Sequence, residues 1–127
     1  MAKFGNLLPK AMLNYSLYPE PIVKHILFGK YSSQYLMGLF QRAMSGVSLD
    51  LLEFRIKQIS NLNQPESKSD IPATYLQATH DMLVSGNAVE VFKKAYANLS
   101  LKTMDGSHFV LQTNPHDSLR EVLAIAA

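Results

Sequence analysis

The 127-residue chain contains no cysteine, which excludes disulfides, thiolate metal centres and a cysteine nucleophile. That absence fits a reducing compartment, and a cytoplasmic location is the expectation. Charge of either sign is in short supply: the formal net charge is +2, too small to imply a general attraction to nucleic acid. Long apolar runs are missing as well. Nowhere do about 18 apolar residues follow one another, so no membrane span is expected, and the opening MAKFGNLLPKAML has a lysine but no apolar core of signal-peptide length. Repeats and low-complexity tracts are absent. A zinc site from His80, Asp81 and His108 has no helical His-x-x-x-His or thiolate pair to support it, and no metal or other cofactor is expected.

What is present suffices for one domain with a modest core, since 47% of the residues are hydrophobic. The charge is unevenly spread. Residues 1–42 carry five Lys and Arg against Glu20 alone, a net +4, while the remainder carries seven against nine, a net −2. A basic first third is compatible with a helical binder of anionic surfaces; the plainer reading is solvated helix faces.

Three helices are predicted in the first half. Pro21 suits a first helical turn and Gly29 the position past its end. Ser32 can cap a second helix whose apolar residues Tyr35, Leu36, Leu39, Phe40, Ala43 and Met44 recur at three and four before Gly46 ends it. Ser48 can cap a third, with Asp50 and Glu53 near its start, a shared face of Leu52, Ile56 and Ile59, and an end near Asn61. Residues 1–20, with Pro9 and Pro19, predict a short irregular helix at best. The polar stretch NLNQPESKSD, residues 61–70, is the best internal boundary. It separates a helical segment, residues 1–64, from an α/β segment, residues 65–127.

The second segment reads strand, helix, strand. Residues 72–79 form a short apolar run consistent with a buried strand that stops at His80-Asp81. Residues 86–97 place Val91, Phe92, Ala95 and Tyr96 on one helical face. Residues 99–104 alternate with the period of a half-buried strand and stop at Asp105-Gly106. Asn114, Pro115 and Asp117 then open a last helix with an apolar face of Leu119, Val122, Leu123 and Ala126, expected to pack on the sheet. A strand, a helix and a strand with short links make a crossover whose strands run parallel. Their carboxyl ends then lie on one edge, where open α/β sheets bind ligands. Asp81 follows the first strand and His108 the second, so the topology nominates them as a pair. Asp105 is a rival acid, expected to support its own turn through the backbone.

The segments ATHDMLV and DGSHFVLQTNP, with His108 lying 27 residues beyond Asp81 and Pro115 beyond it, resemble the acid and histidine loops of the α/β-hydrolase fold family. The resemblance covers residues 71–127 and, more loosely, the helices before them. It departs from the family at Thr79, where glycine is more usual, and at Thr113, where many members have glutamate. It implies a serine esterase, lipase or thioesterase type of activity on an acyl bond, with Asp81 as the acid that orients the imidazole of His108. It further implies that the three helices correspond to a lid and that Leu36, Met37, Leu39, Phe40 and Met44 contact substrate. Against this stands the plainer reading of those five as core. The family's nucleophile elbow, G-x-S-x-G, does not occur in the sequence. The chain is therefore expected to be the C-terminal part of such a hydrolase. It would be inactive alone, would take an acyl-type small-molecule substrate when completed by an N-terminal part, and would self-associate through an open strand edge. A non-enzymatic interaction module derived from the same fold is the alternative.

Overall fold

The computed structural model describes residues 14–63 and 65–126. The expectation for the first residues lies outside that range up to Leu13; within it, Tyr15–Leu17 form a single 3-10 turn capped by Asn14. The described chain is mixed α/β. Its elements run α1 (Glu20–Phe28), α2 (Gln34–Ser45), α3 (Leu49–Ser60), β1 (Ala73–Ala78), α4 (Val89–Ala95), β2 (Leu99–Met104), α5 (Val110–Thr113) and α6 (Pro115–Ala126).

Two compact units emerge. One holds residues up to Val23 together with Ser33–Asn63; the other holds Lys24–Ser32 together with the residues after Asn63. The end of α1 thus belongs with the sheet rather than with the other helices. The reason is visible in its side chains: Phe28, buried to 3% exposure, packs against Phe109 with ring centroids 5.5 Å apart.

In the first unit, side-chain oxygens satisfy orphan amides at helix starts. The Ser48 hydroxyl accepts from Leu51 N and opens α3. Ser33, not Ser32, caps α2 by accepting from Leu36 N. Ser32 is already committed to closing the 3-10 turn Gly29–Tyr31, donating its amide to the Gly29 carbonyl. Gly29 itself has φ 53°, the left-handed conformation that a residue with a Cβ adopts at a cost. Leu36 and Met37 are buried, Leu52 and Ile56 half-buried, and Ile59, further along the same face of α3, is exposed.

In the second unit β1 and β2 pair in parallel, in register from Ala73 opposite Leu99 to Ala78 opposite Met104. The crossover is shorter than its sequence suggests. Gly86–Ala88 form a 3-10 turn, α4 stops at Ala95, and Tyr96 is already extended. Sheet pairing ends the helix early: Ser69 and Tyr96 form a parallel bridge, with Ala97 N donating to Ser69 O. The polar stretch before β1 therefore lengthens the sheet.

Burial differs from the expected pattern. Every residue of β1 is half-buried rather than buried, and Leu101 of β2 is exposed. Val91 and Phe92 are exposed although Phe92 stacks on Tyr75, while the buried residue of α4 is Val89. The α6 stripe of Leu119, Val122 and Leu123 is exposed too. That helix turns Ser118 inward instead, its hydroxyl donating to Val110 O. No helix among the described residues is long and apolar enough to cross a membrane.

Candidate active site

Two loops leave the carboxyl edge of the parallel pair. The first, after β1, turns at once because Asp81 folds back on it: one carboxylate oxygen accepts from Leu83 N and Val84 N, each at 2.9 Å. An aspartate bonded to amides two and three residues on is a local turn device. It also fixes where that carboxylate sits. The second loop, after β2, is tight at Gly106, where an added Cβ would stand 2.8 Å from Val110 Cγ2 and 3.2 Å from Thr113 Oγ1. The Thr113 hydroxyl accepts from Ser107 N and donates to Phe109 O, tying α5 to the loop.

Between the loops, His108 Nδ1 lies 3.1 Å from one Asp81 oxygen and 3.0 Å from the other. The two side chains are 32% and 18% exposed, and the Phe109 ring meets the imidazole edge-on at 5.1 Å. Burial alone would push the Asp81 carboxyl up. The bonds from Val84 N, His108 and Leu83 N outweigh it and hold the group below the ordinary aspartate range. An ionised carboxylate can only accept, so Nδ1 carries a proton, and the neutral form of the ring then has its lone pair on Nε2. Among the described residues Nε2 has no hydrogen-bond partner.

Asp105 makes no hydrogen bond or ion pair with His108. Nor does it serve only its own turn, as the sequence suggested; its side chain is the acceptor of a second group. One oxygen takes the Tyr31 hydroxyl proton and that of Thr79 at 3.2 Å, with Lys30 Nζ at 3.6 Å and His80 Nδ1 at 3.4 Å. The Tyr31 bond foremost, then the nearby Lys30 charge and the Thr79 bond, hold the Asp105 carboxyl below its ordinary range against partial desolvation. His80 Nδ1 is also 2.8 Å from Thr79 Oγ1. Sequence reasoning missed Tyr31 and Lys30. They lie 74 and 75 positions before Asp105, beyond any local motif.

Ser107, next to His108, is 1% exposed and its hydroxyl has no partner. A hydroxyl so enclosed cannot meet a substrate. Among the described residues no serine hydroxyl hydrogen-bonds His108, and no group of three or more His, Asp and Glu side chains is arranged to hold a metal.

The five apolar residues named for substrate contact lie on α2 of the first unit. Leu36 and Met37 are buried; Leu39, Phe40 and Met44 are half-buried, with Tyr15 edge-on against Phe40 at 5.1 Å. Asp81 and His108 belong to the second unit.

No protein-family model, curated protein or solved structure matches the chain.

Proposed function

We propose that this chain supplies the acid and the histidine of a serine-hydrolase triad of the α/β-hydrolase type, acting on an ester, thioester or related acyl bond, with the nucleophile contributed by another segment. The observation that carries this reading is the carboxylate–imidazole pair at the carboxyl edge of a parallel βαβ unit, with Nδ1 engaged by Asp81 and Nε2 without a hydrogen-bond partner among the described residues. A general base for a serine hydroxyl needs that protonation state and that orientation. The chain order, acid before histidine, is the α/β-hydrolase order.

The test has two arms. The pure chain should hydrolyse p-nitrophenyl acetate no faster than background. The same chain joined to a segment that carries the G-x-S-x-G nucleophile should turn over, and His108→Ala should then cost on the order of 10²- to 10⁴-fold. His108-dependent turnover by the chain alone, or a joined protein indifferent to His108→Ala, contradicts the reading.

The completing segment would seat on the sheet. Ala73 N donates to Asn98 O, just before β2, and Thr79 N to Met104 O at its end, so by the alternation of a strand the amides of Thr74, Leu76 and Ala78 point to the other edge. That edge is uncharged, whereas β2 carries Lys102. We propose that it takes a further strand, from the completing segment or, without it, from a second copy. A monomer at micromolar concentration in sedimentation contradicts this.

A further inference from the structure

The two loops exchange carboxylates and imidazoles in a crossed pattern. The first gives His80 and Asp81, the second Asp105 and His108, and the contacts are Asp81 with His108 and His80 with Asp105. The two loops are also joined directly, His80 N donating to Gly106 O at 3.0 Å. We infer that Asp105 and Tyr31 are positioning residues: together with Thr79, Lys30 and His80 they form a bracket that holds the two loops in the one register at which Asp81 meets His108. This rests on Asp81 and His108 being the working pair, but not on any turnover.

Tyr31 ends the turn that begins at left-handed Gly29, and that turn is anchored by Phe28 on Phe109, the residue after His108. Its hydroxyl donates to Asp105, and Lys30 lies over its ring at 5.0 Å. Thr79 donates to the same Asp105 oxygen, so Thr79 Oγ1, with its proton spent, can only accept from His80. His80 Nδ1 must then carry a proton, and that N–H also faces the Tyr31 oxygen and Asp105. Every proton has an acceptor in this arrangement. One position beyond His80 is Asp81.

On the other loop, each residue between Asp105 and His108 is pinned. Asp105 O accepts from Asn114 Nδ2 at 2.9 Å, Gly106 O accepts from His80 N, and Ser107 N donates to Thr113 Oγ1. Asn114 in turn bonds Asp117 in the first turn of α6. Freeing the Asp105 side chain removes the contact through which the Gly29–Tyr31 turn reaches this loop. Neither Asp105 nor Tyr31 makes a hydrogen bond, ion pair or ring contact with His108, so the effect is on the imidazole's place and not on its chemistry.

The deciding variant is Tyr31→Phe, which removes one half-exposed hydroxyl and keeps the ring; Asp105→Ala is the stronger companion. The readout is the long-range nitrogen–proton NMR spectrum of the histidine rings in the full chain. In the parent, the His108 ring should be a single tautomer with its proton on Nδ1. In both variants that signal should give way to shifts averaged between tautomers, and the His80 amide should exchange faster. Phe92→Ala, which strips the ring stacked on Tyr75 away from the loops, should lower the melting temperature and leave the His108 signals in place. His108 signals unchanged in Tyr31→Phe overturn the inference. So do signals that move as far in Phe92→Ala, since the bracket would then be indistinguishable from general stability.

Discussion

The two carboxylate–imidazole pairs at the carboxyl edge of the sheet use the same residue types yet differ in what surrounds them. Asp81 and His108 are 18% and 32% exposed, and Asp81 is held by two amides of its own loop. Asp105 and His80 are 60% and 51% exposed, and Asp105 collects donors from two separate places in the chain, Lys30–Tyr31 and Thr79–His80. An enclosed carboxylate with fixed amide donors has one free direction in which to accept, and it imposes a tautomer on the ring lying there. An exposed one acts as a hub and fastens segments together. Proximity in sequence would have paired Asp105 with His108. The turn at Asp81, together with the hydroxyls around Asp105, decides otherwise.

The harshest way to break the contrast is at Gly106, which belongs to both pairs through its carbonyl and its cramped Cα. Gly106→Ala forces a methyl against Val110 and Thr113 and should cost about 1–3 kcal/mol of unfolding free energy in a denaturant titration. It should also disturb His80 and His108 together. A neutral result would mean that the second loop has slack that the distances do not show.

Asp81→Ala comes next. It strips the acceptor from Leu83 N and Val84 N as well as from His108, and with those amides near solvent the cost should be about 1–2 kcal/mol. Asp81→Asn keeps an acceptor for the amides and removes the charge, so it isolates the pH dependence. The Asp81 carboxyl titrates below its ordinary value in the fold because the bonds from Val84 N, His108 and Leu83 N outweigh the effect of burial. Its contribution is therefore fully present above the unfolded aspartate value of about 3.9 and is lost as pH falls through the lower folded value. Asp81→Asn should flatten the acid limb of the stability curve in that window. An acid limb identical to the parent's contradicts the assignment.

How much of this was legible follows from the range over which each contact acts. Asp81 and His108 could be paired from the sequence because two strands and a crossover dictate which loops share an edge, whatever the details of packing. The α6 start could be read because Asn114, Pro115 and Asp117 are neighbours. The Tyr31–Asp105 contact could not, since nothing near Tyr31 marks it and only the folded turn after α1 carries it to β2. The end of α4 was hidden for a related reason: Ser69, in a stretch that reads as linker, captures Tyr96 and Ala97 for the sheet. The apolar faces of α4 and α6 were visible as patterns, but a pattern says that a face suits burial, not that a partner covers it.

The smallest expected effect separates two adjacent serines. Ser33→Ala removes the acceptor for Leu36 N and should cost about 0.5–2 kcal/mol. Ser32→Ala, at a position that contributes only its backbone to the turn, should fall within about 0.5 kcal/mol of the parent. Equal losses at both would return the cap to the position that sequence alone suggests.

The central claim is that Asp81 holds His108 as a base, with its proton on Nδ1 and a lone pair on Nε2. A long-range nitrogen–proton correlation spectrum of the chain, recorded where the ring is neutral, reads this directly. The account predicts one His108 species with a protonated Nδ1 and a bare Nε2, converted to a tautomer mixture by Asp81→Ala. A ring with its proton on Nε2, or one whose signals ignore Asp81→Ala, contradicts it.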